Sequence, residues 1–217
     1  MFITWHGLSC FEIVAKTSKG EVTIVIDPYG NETGLRFPRA LEAQLVLSSH
    51  NEEDANNTTA VAGHPFVVNA PGEFEVKDVF VYSISAPTKG DEKRKSNDNL
   101  IFRVEVEETR LAHLGALDRP LTNDELSQLE NIDILMIPVG GGRVMSPKVA
   151  VEVLAEIEPR IIIPMMHAIE NVKEKLAGID DFCKALGACK RENTAKYKVS
   201  RKDLPEEDMQ MIVLERQ

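Results

Sequence analysis

The chain has 217 residues, of which 43% are apolar and 28% are charged, and its formal net charge is −10. This composition excludes a fibrous or wholly disordered chain, and the length suffices for one hydrophobic core, so we expect a single domain over residues 1–217. The acidic balance repels phosphate groups and disfavours nucleic acid and anionic membrane surfaces as partners. The basic patch that such partners need is offered only by Lys93 to Lys95.

Several features of the sequence favour a cytoplasmic protein without a membrane span. No apolar stretch approaches the roughly 20 residues that a transmembrane helix needs. The first residues lack the basic and apolar regions of a secretory signal. The three cysteines, Cys10, Cys183 and Cys189, form no C-x-x-C pair and indicate reduced thiols. Cys10 lies in an apolar run, so we expect a core residue there instead of a nucleophile.

The first half of the chain is rich in short strands. Apolar runs bounded by Gly, Pro and Asn predict strands at Phe11 to Val14, Val22 to Ile26, Gln44 to Leu47, Phe66 to Asn69, Phe74 to Val76, Val79 to Ile84 and Leu100 to Val106. The Pro71-Gly72 pair between two of these runs predicts a turn.

The second half alternates helices with buried strands. Thr122 caps a predicted helix that runs to about Leu129, and Ser146 with Pro147 begins a helix that Pro159 ends. Further periodic or continuous apolar runs predict strands at Ile134 to Val139 and Ile161 to Met166, a helix through Val172, Leu176, Ile179, Cys183 and Leu186, and closing strands at Tyr197 to Val199 and Met209 to Leu214. This order indicates a layered α/β sandwich with helices packed outside two sheets.

Two polar or glycine-rich segments follow predicted strands directly. After Leu47, every second position from 50 to 54 carries a candidate ligand: His50, Glu52 and Asp54. Each offers nitrogen or oxygen to a cation such as zinc. Loops at strand ends commonly carry such sites, although the spacing alone favours a solvated polar loop. The run Gly140 to Gly142 precedes the helix capped by Ser146 and resembles an anion cradle, but it lacks a phosphate-binding fingerprint.

Seven motifs follow one another over about residues 2 to 168. They are Ile3 to Phe11, Asp27-Pro28-Tyr29, Leu45-Val46-Leu47 with Ser48-Ser49-His50, Pro71 to Val76, His113-Leu114-Gly115, Ile137 to Gly141, and Ile163 to His167. In this combination they resemble the metallo-β-lactamase superfamily, in particular its small Zn-dependent hydrolases similar to L-ascorbate-6-phosphate lactonase. The resemblance implies an αββα sandwich with a metal site at the edge of the two sheets.

The resemblance also implies a metal-ligand set, which this chain carries only in part. The family motif S-H-x-H-x-D-H aligns with Ser49 to Ala55, so that His50 and Asp54 match, and His167 matches the last family ligand. The altered positions are Leu8, Glu52, Ala55, the stretch Ala86 to Lys89, and Ala116, which replaces the aspartate that bridges two metals.

These alterations argue against a dinuclear zinc site. We expect either no metal or one divalent ion, zinc or manganese, held by His50, Glu52, Asp54 and His167, with Asp54 as the catalytic candidate. The leading hypothesis is a non-catalytic binding or assembly module. The alternative is a single-metal hydrolase of a lactone, ester or phosphodiester.

A third hypothesis is a metal-free acid–base enzyme. It would pair His50 with Asp54, or His113 with Glu73. His6 is a further candidate for the same cleft, because it lies on the same strand face as Leu8. The sequence leaves the partner open as a small molecule, a protein or a second copy of the chain.

Overall fold

A computed structural model of the chain describes residues 1–90, 96–187 and 191–217. Lys93 to Lys95 and Cys189 lie outside the described residues. The strands are β1 (Phe2–Gly7), β2 (Cys10–Thr17), β3 (Gly20–Ile26), β4 (Leu45–Leu47), β5 (Phe66–Val68), β6 (Gly72–Val76), β7 (Val79–Ser85), β8 (Leu100–Val106), β9 (Thr109–His113), β10 (Ile134–Pro138), β11 (Ile161–Met165), β12 (Arg191–Thr194), β13 (Tyr197–Lys198) and β14 (Gln210–Leu214). The α-helices are α1 (Asn123–Ser127), α2 (Pro147–Ile157) and α3 (Ile179–Leu186).

The strands form two mixed sheets. The six-stranded sheet has the order β13-β1-β2-β3-β4-β5, and the eight-stranded sheet has the order β12-β14-β11-β10-β9-β8-β7-β6. Strands β3, β4 and β5 are parallel, as are β9, β10 and β11. The carboxyl ends of parallel strands meet at one edge of a sheet, where α/β folds place their sites.

Two apolar clusters hold the layers together. The first fills the space between the sheets and includes the fully buried Phe11 and Phe102. The second joins the helices to the eight-stranded sheet, with Val153 of α2 and Phe182 of α3 against Ile162 of β11. Burial on both faces explains the continuous apolar sequences of β10 and β11. The predicted α/β class, with two sheets packed face to face and helices on an outer face, is therefore confirmed.

The helix starts follow the predicted capping chemistry. Thr122 and Glu125 form a reciprocal capping box at α1. The Ser146 side chain accepts a hydrogen bond from the backbone of Val149, and Pro147 occupies the first turn of α2. Short-range sequence signals suffice here because each cap uses only neighbouring residues.

The predicted helix through Val172 and Leu186 is wrong in its first half, since α3 begins only at Ile179. The preceding loop is bonded to other loops instead: the Lys173 N–H donates to Thr33 O, and the Ala177 N–H donates to Gly140 O. These tertiary hydrogen bonds replace the helical ones. Val172 and Leu176 still pack against the core, which accounts for their apolar character.

Strands β9 and β12 were not predicted. Strand β12 lies at the edge of its sheet and carries mostly exposed polar residues, so it has no apolar pattern. Strand β9 is short and pairs with β8 in a hairpin.

Two observations bear on the expected compartment. Cys10 is free and fully buried, but Cys183 is disulfide-bonded, so the expectation of reduced thiols is wrong at Cys183. Among the described residues, no helix has both the length and the apolarity that crossing a membrane requires.

Candidate functional site

The loop after β4 brings together three side chains that can bind a metal. One ligand atom from each of His50, Glu52 and Asp54 lies within 4.8 Å of the other two. The N–H groups of Ala55 and Asn56 both donate to Glu52 O, and this turn places the alternating side chains on one side of the loop. The sequence singled out these three residues as candidate ligands, although their spacing alone favoured a solvated polar loop.

His50 lies in a buried chain of hydrogen bonds. The Ser49 hydroxyl donates to Asp27 Oδ2 at 2.7 Å and therefore accepts from His50 Nδ1 at 2.8 Å. His50 Nε2 lies 3.0 Å from Asp54 Oδ1. Because both ring nitrogens then act as donors, His50 is an imidazolium. Burial opposes the charge, but Asp54 outweighs it and raises the pKa of His50.

The guanidinium of Arg143 occupies the centre of the carboxylate cluster. Nη1 donates to Glu52 Oε2 at 3.1 Å, Nε donates to Glu174 Oε1 at 2.8 Å, and Nη2 donates to Asp54 Oδ2. The Arg143 side chain is only 17% exposed. Burial disfavours the charged guanidinium, but Asp54 and Glu174 raise its pKa above the usual value. His50 and Arg143 likewise hold the pKa of Asp54 well below its usual range, despite burial.

The glycine run after β10 shapes the loop that carries Arg143. Gly141 and Gly142 have φ values of 70° and 68°, and the Gly141 N–H donates to Met145 O within the turn. A Cβ on Gly140 would lie 2.0 Å from Met166 O, so only glycine permits this approach to the end of β11. The structure thus gives these glycines a role in positioning Arg143.

His167, the fourth ligand candidate, is not part of the group around Asp54. Its ring packs on Trp5 with 4.8 Å between centroids, and within the described part of the chain its buried Nε2 has no hydrogen-bond partner. Burial lowers the pKa of His167. The ring lines a separate cavity of about 430 Å³ together with Arg216.

The other cleft candidates lie apart from the cluster. His113 donates from Nε2 to Ser9 O at 2.9 Å and accepts from the Gly115 N–H at Nδ1, so it is a neutral imidazole, and burial lowers its pKa. Glu73 is exposed on the edge strand β6, and the described residues include no bond between it and His113. His6 is buried, with Nε2 3.4 Å from Glu12.

Two cavities open beside the cluster. One of about 210 Å³ lies over Arg143 and is lined by Leu8, Glu32, Thr33, Glu52, Glu53, Asp54, Arg143, Val172, Lys173 and Glu174. The other, of about 480 Å³, is lined mainly by hydroxyl and amide side chains: Ser48, Ser49, His50, Asn51, Asn56, Thr58, Asn69, Ala70, Pro71, Ser85, Asp98, Asn99 and Leu100. The first is therefore acidic and the second polar with a single carboxylate.

The chain belongs to the beta-lactamase superfamily, whose domain profile matches residues 2–166. It is 28% identical to a Thermococcus onnurineus protein named UPF0173 metal-dependent hydrolase, covering 76% of this chain and 84% of that protein. A relative from Archaeoglobus fulgidus with the same name is 24% identical and covers 87% and 91% of the two chains.

Solved structures show the same fold. A crystal structure from Thermotoga maritima, described as a candidate Zn-dependent hydrolase of the metallo-β-lactamase superfamily, is 28% identical over 100% of this chain and 99% of that chain, with a TM-score of 0.79. A metallo hydrolase from Ignicoccus hospitalis, 17% identical over 86% and 90% of the chains with a TM-score of 0.57, shares the fold. The expected superfamily is therefore confirmed.

The donor set of this chain does not fit the metal that the family name implies. Glu52 and Asp54 bind a guanidinium, and both nitrogens of His50 carry protons, so its lone pairs are not free to coordinate. Ala55 and Ala116 are fully buried and offer no side-chain donor. A His/Glu/Asp cluster is present, but its charge is balanced by the protein itself.

Sequence reasoning missed Arg143 and Glu174. Glu174 fell within the wrongly predicted part of the helix. Arg143 follows a glycine run directly after a buried strand, and the carboxyl ends of parallel strands converge. A charged residue that follows a buried strand and a glycine run was the sequence signal that could have identified Arg143 as part of the site.

Proposed function

We propose that this chain is a metal-free, non-catalytic member of the superfamily that acts as a binding or assembly module. The observation that carries the proposal is the guanidinium of Arg143 among the carboxylates of Glu52, Asp54 and Glu174. Metal-dependent hydrolysis needs an ion with an open position for water, whose pKa the ion lowers toward neutrality. A guanidinium supplies positive charge but only N–H donors, and it is not deprotonated in proteins. It therefore cannot generate hydroxide.

The polar cavity of about 480 Å³ beside His50 supports a binding role. Its hydroxyl and amide groups donate and accept hydrogen bonds without a net charge, which suits an uncharged polar small molecule. Asn69 is exposed at the carboxyl end of β5 and is available to such a ligand. In thermal-shift measurements, sugars and nucleosides should raise the melting temperature of the natural chain. They should leave the melting temperature of Asn69→Leu unchanged. If no probe stabilises the natural chain, this cavity is not the binding site.

The decisive test is the metal content of the natural chain. After incubation with zinc, manganese or iron and extensive dialysis, elemental mass spectrometry should find far less than one ion per chain. Lactone, ester and phosphodiester substrates should not turn over faster than with His50→Ala. Near one ion per chain, lost in His50→Ala and accompanied by turnover, would overturn the proposal.

One observation favours the alternative of a single-metal hydrolase. Glu52 Oε1 is buried and has no hydrogen-bond partner among the described residues. In that alternative, the ion is held by His50, by His167 and by one carboxylate, that of Asp54 or Glu52. The hydrogen bond between His50 and Asp54 must then break, and His167 must join the cluster. The same elemental analysis separates the alternatives, because His167→Ala should then lose the metal.

A further inference from the structure

We propose that the guanidinium of Arg143 is a built-in substitute for a metal ion, and that its removal alone creates a divalent-cation site at Glu52, Asp54 and Glu174. This inference rests on the proposed absence of a metal from the natural chain. It goes further by naming the residue whose charge occupies the place of the ion.

Arg143 holds loops together in the way that a bound metal ion would. Its nitrogens bind carboxylates from two different loops, one after β4 and one after β11, and Arg143 itself comes from a third loop after β10. The three loops project from the same edge of the sandwich. A metal ion at such an edge would likewise hold loops together through its ligands.

The charges around Arg143 are those of a cation site. The three carboxylate side chains are between 6% and 25% exposed, and the guanidinium is 17% exposed. Without Arg143, three carboxylates would face one another with His50 as the remaining nearby cation. Like charges at this burial repel strongly, and binding a divalent ion is a direct way to relieve the repulsion.

The donor atoms need little rearrangement to bind an ion. Each of the three carboxylates already has an oxygen within hydrogen-bond distance of the Arg143 guanidinium. Ligand atoms about 2.1 Å from a tetrahedral ion are about 3.4 Å apart, so the Glu52 and Asp54 oxygens, which lie within 4.8 Å of each other, must approach by at most about 1.4 Å. Glu52 Oε1 gives up no hydrogen bond to any residue that the structure describes. Carboxylate oxygens suit manganese, and zinc binds them as well.

The test compares Arg143→Met with the natural chain. Methionine keeps an unbranched apolar stem but removes the charge and the N–H donors. After incubation with manganese or zinc and dialysis, the variant should retain about one ion per chain, while the natural chain retains almost none. Saturating metal should raise the melting temperature of the variant by about 5–10 °C when the free ion exceeds its Kd about a hundredfold, with no rise for the natural chain.

Three further variants test whether the effect is specific to the charge of Arg143 and to the carboxylates around it. Lys173→Met removes a cation that lines the same cavity but makes none of the ion pairs found among the described residues, so it should remain metal-free. Arg143→Lys keeps a positive charge and should also remain metal-free. Adding Glu174→Gln to Arg143→Met should weaken metal binding at least tenfold. If Arg143→Met does not fold alone, its refolding from urea with manganese present provides the same comparison.

The outcomes separate this inference from the proposed function. Metal in the natural chain would overturn the absence of a metal, and the inference with it. A metal-free natural chain with a folded, metal-free Arg143→Met would overturn only the inference. Equal metal binding by Lys173→Met would also overturn it, because any lost cation would then suffice.

Discussion

Among the carboxylates of the site, Asp54 is the one that pairs with both His50 and Arg143. It accepts from His50 Nε2 at 3.0 Å with one oxygen and from Arg143 with the other. It is 5% exposed, so its two partners would be left as buried cations if its charge were lost. The local network is therefore more sensitive to this residue than to any exposed acid.

Asp54→Asn should lower the free energy of unfolding by about 3–5 kcal/mol, because it leaves buried charges without a partner. Urea denaturation at neutral pH measures the change. The matched control is Asp98→Asn, whose side chain is exposed and should change stability by less than about 0.5 kcal/mol. Equal effects of the two substitutions would contradict the structural role of Asp54.

His50 should make stability depend on pH in a defined direction. Its pKa is raised in the folded chain, so its stabilising contribution is complete below the unfolded value of about 6.5 and is lost as the pH rises through the folded pKa. The difference in unfolding free energy between the natural chain and His50→Gln should therefore shrink as the pH rises above about 6.5 and through the folded pKa.

Imidazole NMR titration provides an independent check. His50 should titrate above its usual pKa, whereas His113 and His167 should titrate below it because burial lowers their pKa values. A His50 ring that is neutral at pH 6, about half a unit below the usual pKa, would refute the doubly donating geometry.

At the scale of elements, the short helix α1 depends on one carboxylate. Glu125 accepts from both terminal nitrogens of Arg119, at 2.8 and 2.7 Å, and from the Thr122 N–H at 2.7 Å. The helix has only five residues and is too short to be stable from helix propensity alone. Its position against the second apolar cluster therefore relies on this cap and ion pair.

Glu125→Gln should lower the free energy of unfolding by about 2 kcal/mol, since it removes the charge from three hydrogen bonds. Asp124→Asn on the same helix is the matched control and should have an effect below about 0.5 kcal/mol. Chemical denaturation of both variants tests the difference. A larger loss in the control would place the stabilising contact elsewhere.

At the scale of the whole molecule, stability depends on the apolar layer between the sheets. Phe102 of β8 is fully buried there, with its ring beside His113. Phe80 on the neighbouring strand β7 is 47% exposed. The same residue type thus occupies two environments on adjacent strands of one sheet.

Phe102→Ala should cost about 3–5 kcal/mol through lost burial and the cavity it creates. Phe80→Ala should cost less than about 1 kcal/mol, because much of its ring already contacts water. Thermal and urea unfolding of the two variants measure the contrast. Similar losses would mean that the inter-sheet layer does not carry the stability assigned to it.

The sequence by itself determined the local parts of this protein. Most strands of the first half and the caps of α1 and α2 follow from residues a few positions apart, so periodicity and capping rules were sufficient for them. The motif order also identified the superfamily.

Only the tertiary structure decided what fills the site. Arg143 lies 89 residues from Asp54 and 31 residues from Glu174, and no local pattern joins such distant positions. Likewise, the loop before α3 is held by hydrogen bonds to other loops, which overrode an apolar period of helical spacing. Charge pairing across the sandwich depends on which loops the sheets bring to one edge, and that is a property of the fold.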